Sequence, residues 1–556
     1  MRNLPLLVLL SILISCTPPE SADLIITNGQ IYTANDAKPN VEAVVIKEGK
    51  IIYAGDKSGL KKYEGETLDL NGKTLLPGLH EGHAHLMGVG NNLLNVDLMK
   101  AQTYAEAIEL VRERAANTPE GQWIIGRGWH QDKWIDQPER MFKNLPTHHD
   151  LSEAVPNHPV YLSHASGHMG LVNAKAMELA EITSETEQPE GGEVFMDLGG
   201  PTGIFNETAQ SLVGKMIPGQ TKDKNVQALK LAIEECLKNG ITTFHNAGAN
   251  QGTIDLFKDF AARNELKIRL YNMLSGRDNT LIANYFKNGP EIGLYNNHLT
   301  TRSVKLYSDG ALGSRGAWLL EEYTDAQNVF GHEVTPMKEV EEVTKKSYEA
   351  GFQVGIHAIG DRANREALDI FERTFEAGTQ DDPRFRIEHA QHIHPADIPR
   401  FGELGVIPAM QAIHMSSDRP WAIDRLGKER IETGAYMWQE LLQTGARIVN
   451  GTDAPVEPID LLATFYASVS RKTLKGTPEG GYEPAQKMTR DQALKSLTLD
   501  AAYGAFMEDI VGSIEVGKLA DFTILDKDIM TIPEDSILAT KVRMTIIDGT
   551  VVYQKP

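Results

Sequence analysis

Residues 4–14 form one apolar run, interrupted only by Ser11, preceded by a single cation, Arg2, and followed by Ser15 and Cys16. Charged, apolar, then small is the order of a secretory signal. At about eleven residues the run is too short for a membrane span, which takes about 20. From residue 22 the pattern becomes period-two alternation in short segments, 24–27, 30–33, 43–47 and 50–55, with Asn28-Gly29 and Glu48-Gly49 placed as turns. Residues 522–525, 542–547 and 550–553 read the same way, with Asp548-Gly549 marking a hairpin. Neither end buries a sheet alone, so both are expected to build one small β-sandwich from residues 22–78 and 505–556.

Between the ends, apolar runs alternate with helical periodicity: 240–245, 268–274, 303–307, 353–357, 386–389, 406–410 and 447–451. Parallel strands with helical crossovers follow, and their number suits an α/β fold of the TIM-like (β/α)8 barrel type over residues 79–504. A long interruption, about 101–223, holds Trp123, Trp129 and Trp134 and a stretch rich in Pro and Gly at 189–203. It reads as an insertion over the barrel mouth, although 104–116 would serve equally as a barrel helix.

Composition narrows the partners. With 55 Lys+Arg against 76 Asp+Glu, a net charge of −21 leaves no cationic surplus for a phosphate backbone, and no nucleic-acid partner is expected. Two cysteines, Cys16 and Cys236, make no disulfide framework. Cys236 has helical apolar spacing and reads as buried and inert.

Candidate chemistry begins at Leu75-Leu76-Pro77-Gly78-Leu79-His80-Glu81-Gly82-His83-Ala84-His85. On a strand, residues i and i+2 face the same way, so His83 and His85 present two imidazoles to one point, as a metal site requires. Alone the pair is weak, since His392 and His394 repeat the spacing in a loop-like stretch. Lys305, His357, His389 and Asp453 add weight, because each falls within or just past the C-terminal part of an expected strand, the face where barrels do chemistry.

These elements, in this order, resemble the metal-dependent amidohydrolase superfamily, and within it the YtcJ-like branch grouped with N-substituted formamide deformylases. The resemblance runs from about residue 24 to the C-terminus. Besides Pro-Gly and His-x-His it includes Trp123-Ile124-Ile125-Gly126-Arg127-Gly128-Trp129, Ser166-Gly167-His168, Val304-Lys305 with Asp309-Gly310, Ile356-His357-Ala358-Ile359-Gly360-Asp361, Glu388-His389-Ala390, and Gly451-Thr452-Asp453-Ala454-Pro455. Two positions depart from it: Asn246 follows His245, and His130 follows Trp129, where relatives often carry Asp.

The resemblance implies that His83, His85 and Asp453 hold one divalent ion, with zinc expected. His357 and His389 would hold a second ion or flank the first. Lys305 would carry a carbamate derived from carbon dioxide that bridges two ions. A charged Lys305 binding substrate, or paired with Asp309, are the alternatives. Asp453 would also be the catalytic base that moves a proton from water to the leaving nitrogen. His168, His245 and Arg315 are the substrate-binding candidates.

The expected activity is hydrolysis of a non-peptide carbon–nitrogen bond in a small-molecule amide, formamide or cyclic amide. An ester hydrolase on the same site, and a non-catalytic ligand-binding lipoprotein, are the alternatives; self-association is left open. Leu13-Ile14-Ser15-Cys16 resembles a bacterial lipobox, which implies a signal peptide at 1–15, a lipid on Cys16, a linker at 16–21 and attachment to a membrane of the cell envelope.

Overall fold

The computed structural model describes residues 18–165, 167–189, 191–219, 221–378 and 382–555. The expected signal peptide and the lipid site at Cys16 lie outside the described residues.

Eight parallel strands build the central barrel: β1 Leu79–Ala84, β2 Ile241–Ala249, β3 Arg269–Ser275, β4 Leu299–Tyr307, β5 Gln353–Ala358, β6 Arg386–His389, β7 Ile407–Met410 and β8 Val449–Asn450. They lie in chain order, each paired with its sequence neighbour. Helices such as Lys222–Lys238 and Asp361–Ala377 wrap the outside, burying one apolar stripe each. Cys236 is fully buried on one of these stripes, as expected. The strands are apolar runs because parallel strands here are covered on both faces.

Among the described residues no ladder joins β8 back to β1. The seam is closed where the backbones nearly touch. A Cβ on Gly82 would lie 2.4 Å from the carbonyl oxygen of Asn450, and one on Gly451 would lie 2.2 Å from Oε1 of Glu81. Only glycine fits either place. Just past the strands, Asp453 N–H donates to the His83 carbonyl at 2.8 Å and His85 N–H donates to that of Ala454 at 2.8 Å.

Both chain ends share one eight-stranded sheet. The expected pair of strands at 24–27 and 30–33 is instead one strand, Glu20–Tyr32, which starts inside the expected linker. Asn28, with φ of 62°, marks a register shift between Thr27 and Ile31 rather than a reversal. The bulge lets the first half of the strand pair with Tyr63–Asp69 and the second half with Thr74–Pro77. Glu48-Gly49 and Asp548-Gly549 do reverse the chain, with positive φ at both residues of each turn.

The insertion starts earlier than its sequence suggests, at Val96, and carries a six-stranded sheet of its own. Helix Tyr104–Ala116, capped by Thr103, buries Tyr104, Ala107, Ile108 and Val111 in the insertion's core with Trp129 and Trp134. It is therefore not a barrel helix.

Candidate metal centre

His83, His389 and Asp453 bring one ligand atom each to within 4.8 Å of one another, at the C-terminal mouth of the barrel. They come from β1, the end of β6 and the turn after β8. Around them, His85 Nε2 lies 3.3 Å from Asp453 Oδ1, and Lys305 Nζ lies 3.4 Å from His83 Nε2. The ring of His357 packs edge-on against His389, 4.5 Å between centroids.

Strict strand alternation would send Glu388 and His389 to opposite faces, yet both reach His83. The strand ends at His389 with φ of 77°, which swings its ring back to the mouth. Asp453 is likewise left-handed, φ 57°. Non-glycine residues held there cost on the order of 1–3 kcal/mol each, and such strain gathers at functional sites.

A layer of polar groups beneath the cluster fixes the rings of His83 and His389. His83 Nδ1 bonds Glu388 Oε2 at 2.5 Å, so Nε2 is the atom left for a ligand. His389 Nδ1 faces Gln411 Oε1 at 2.7 Å, which also leaves Nε2. His357 Nε2 lies 3.5 Å from Asp309 Oδ1 without a directed hydrogen bond among the described residues. Glu388 is gripped by Arg386 at 2.8 and 2.9 Å, and Arg386 also donates to the Gly82 carbonyl, an oxygen on the ladderless seam. Burial resists ionisation of Glu388, but Arg386 and then His83 outweigh it and hold the carboxyl well below the usual range.

Glu81 accepts from His83 N–H, Thr452 N–H and the Thr452 hydroxyl, tying β1 to the turn that carries Asp453. Burial pushes its pKa up to about 8. Asp309 accepts from the backbone N–H groups of Trp318, Ile359 and Gly360, and burial lifts it to about 7.

The electrostatics suit a cation. Burial and the charge of Lys305 lower His83 to about 4, while burial pushes His357 and His389 well below the ordinary histidine value, so all three are neutral with a lone pair available. Burial also opposes ionisation of Asp453, but the histidines around it, His85 foremost, keep it an anion. Its Oδ1 is buried and accepts no well-directed hydrogen bond among the described residues. Neutral imidazoles converging on an anionic oxygen with spare valence are what a divalent ion needs.

Above the cluster opens a cavity of about 930 Å³, walled by the insertion and the loops after β4, β7 and β8. His85, Lys305, His357, His389 and Asp453 line its floor, and His168 and Arg315 its walls. His168 pairs with Glu207 at 3.1 Å, and Arg315 forks onto Asp325 at 3.0 and 2.8 Å.

His245 corrects the sequence expectation. It is fully buried below the metal cluster and absent from the cavity wall; its Nδ1 faces Arg386 Nη1 at 3.0 Å. Its position on β2 faces the packed barrel interior, away from the cavity. Of the two departures from related sequences, Asn246 is also structural, accepting from Leu86 N–H and donating to Asn272, whereas His130 does line the cavity.

Residues 66–553 match the family model described as an amidohydrolase family. The chain belongs to that family. It is 30% identical to a putative amidohydrolase, YtcJ, of Bacillus subtilis over 95% of this chain and 98% of the relative. It is 25% identical to the N-substituted formamide deformylase of Arthrobacter pascens, over 96% and 98%. Among solved structures, an uncharacterized metal-dependent hydrolase from Pyrococcus horikoshii OT3 superimposes with a TM-score of 0.74 at 30% identity, covering 92% of this chain and 99% of that one. The protein is thus a hydrolase with an amidohydrolase barrel. Members of the family act on carbon–nitrogen bonds by metal-dependent hydrolysis, and His83, His389 and Asp453 form a group that could hold a metal ion.

Because Gln411 alone accepts from the far side of His389 among the described residues, Gln411→Leu should weaken metal binding about 10- to 100-fold without unfolding the chain. A chelator-competition titration reads this directly; unchanged affinity would show that the bond does not hold His389 for the metal.

Proposed function

We propose that the protein hydrolyses a non-peptide carbon–nitrogen bond in an amide, formamide or cyclic amide, using one or two divalent ions, with zinc expected. The observation that carries this is the convergence of neutral His83 and His389 on the unsatisfied carboxylate oxygen of Asp453, at the floor of a cavity large enough for a small molecule. The name of the Arthrobacter relative supports formamides as the first substrates to try.

His83, His85 and Asp453 would hold one ion, with His357 and His389 completing or sharing the site. When bound, the metal supplies Lewis acidity to the carbonyl and makes a water acidic enough to attack near neutral pH. Asp453 accepts a proton from the attacking water and returns it to the leaving nitrogen, so that amide plus water becomes acid plus amine. Placement of Asp453 depends on Glu81 and Thr452, and orientation of His83 depends on Glu388. The cavity walls, His168 and Arg315 among them, orient the remainder of the substrate.

Lys305 fits a carbamate. Burial lowers its pKa to about 8 even though Glu388 and Asp453 favour the charged form, so a substantial neutral fraction exists near physiological pH. The neutral amine adds to carbon dioxide, a C–N bond forms, one proton leaves, and two anionic oxygens face the histidines. Reconstitution of metal-free protein should therefore depend on bicarbonate, and more completely at pH 8.5 than at 6.5, because the amine loses its proton as pH rises through about 8. Lys305→Ala should lose metal and activity, with partial rescue by a short carboxylic acid. Full metal content in that variant, or reconstitution indifferent to bicarbonate, would leave Lys305 a plain cation.

The signal-like residues 4–14 and the lipobox-like residues 13–16 support an address at the bacterial cell envelope, tethered through Cys16. Cys16→Ser should move the protein from membrane to soluble fractions; a wild type already soluble, with its N-terminus elsewhere, contradicts the anchor.

Asp453→Asn separates binding from chemistry. It keeps one oxygen ligand and removes the base, so metal should be largely retained while kcat falls by at least about 10²- to 10⁴-fold. Metal content and kcat on one preparation, with a formamide found by screening, decide it; a metal-loaded variant within a few-fold of wild type removes Asp453 from proton transfer.

A further inference from the structure

The helix that follows β7, Ala412–Gly434, turns one face to the cavity: His414, Asp418, Trp421 and Arg425, spaced by four, three and four residues, all line it. His414 is only 8% exposed, and its Nε2 is buried with no hydrogen-bond partner among the described residues. Its ring lies parallel to that of His389, 6.2 Å between centroids, so this wall begins one ring away from the metal centre.

One turn further, Asp418 has no ion-pair partner among the described residues and accepts only the hydroxyl of its neighbour Ser417, at 3.0 Å. Burial raises its pKa to about 6; His414 and Lys133 oppose and Glu457 pushes the same way, so all three side chains lie within electrostatic reach of Asp418. The cations on the cavity wall are otherwise matched to carboxylates: Lys143 to Glu193, Arg315 and Arg425 to Asp325, and Lys133 to Glu457 at 3.8 Å. A half-buried carboxylate without an ion-pair partner, on the same helix face as a buried imidazole nitrogen without a partner, is a costly arrangement unless a ligand completes it.

We propose that Asp418, His414 and Glu457 form a subsite for a primary ammonium group on the arm of the substrate that extends from the scissile bond. An ammonium offers three N–H donors; the Asp418 carboxylate and His414 Nε2 can accept, and Glu457, whose Lys133 partner stands 3.8 Å away, beyond hydrogen-bond distance, keeps its carboxylate oxygens as a third acceptor. The ring of Trp421 adds an aromatic wall on which an alkyl-ammonium chain packs. This deepens the amide-hydrolase reading and rests on it for the direction of the arm.

The test compares 1-aminopentane with 1-pentanol, binding to zinc-loaded, full-length protein by titration calorimetry. The amine should bind at least about 10-fold more tightly, the scale of a charge-assisted hydrogen bond. Asp418→Asn should abolish the preference with zinc content unchanged, which excludes an amine that simply ligates the metal. Should that variant fail to fold, Glu457→Gln is expected to reduce the preference in the same direction. Equal affinities for amine and alcohol, or a preference that survives both substitutions, would overturn the subsite. Turnover of N-(5-aminopentyl)formamide and N-pentylformamide keeps the two readings apart. The first should have at least about 10-fold higher kcat/KM, chiefly through KM, in wild type but not in Asp418→Asn. Equal turnover of both would sink the subsite and leave the amide reading intact. Selective amine binding with no turnover of either would support the subsite and count against formamides as substrates.

Discussion

The barrel's first and last strands meet without a ladder, and the contacts that replace it are also the scaffold of the site. Gly82 and Gly451 allow the backbones to close, Glu81 bonds across to Thr452, and two backbone hydrogen bonds link His83 and His85 to the turn of Asp453. An ion held between His83 and Asp453 would therefore bridge the seam at which, among the described residues, no strand ladder forms. Such an ion would add its binding energy to the contacts that already close the seam, and so would stabilise the fold.

Below the seam, polar partners are arranged so that His83 and His389 each have one defined nitrogen to offer. The Arg386–Glu388 pair is fully buried, and its guanidinium also satisfies Gly82 and faces His245. Burying such a pair contributes little net stability, because desolvation offsets the attraction. Its effect is positional: a hard-held Glu388 fixes His83, much as Gln411 fixes His389. The left-handed backbone at His389 and Asp453 adds local strain that the packed surroundings must hold.

Much of this was legible in the sequence. Seven apolar runs and the His-x-His element correspond to the eight barrel strands, because parallel strands covered on both sides advertise themselves as apolar runs. Of the chemistry-bearing residues at strand ends, His83, His389 and Asp453 bring ligand atoms within 4.8 Å of one another, and His85, Lys305 and His357 lie beside them. Less legible was what depends on long-range pairing. Asn28-Gly29 has the local chemistry of a turn, and only the partners of Glu20–Tyr32 make it a bulge. His245 looked like its neighbours at strand ends, but its depth in the barrel depends on where β2 stands in the shear. Glu81, Arg386 and Glu388 did carry a signal, being charged residues inside strands with no solvent face. Asp418 and His414 carried none, since a helical stripe shows its meaning only when the cavity it faces is known.

The direct test of a metal held across the seam is anomalous diffraction from crystals of the full-length protein grown with zinc. The account predicts a peak within bonding distance of His83 Nε2, with Asp453 and at least one further histidine among the ligands, and a second peak beside Lys305 if the lysine carries a carbamate. A fully loaded crystal whose only peaks lie away from His83 and Asp453 would contradict it.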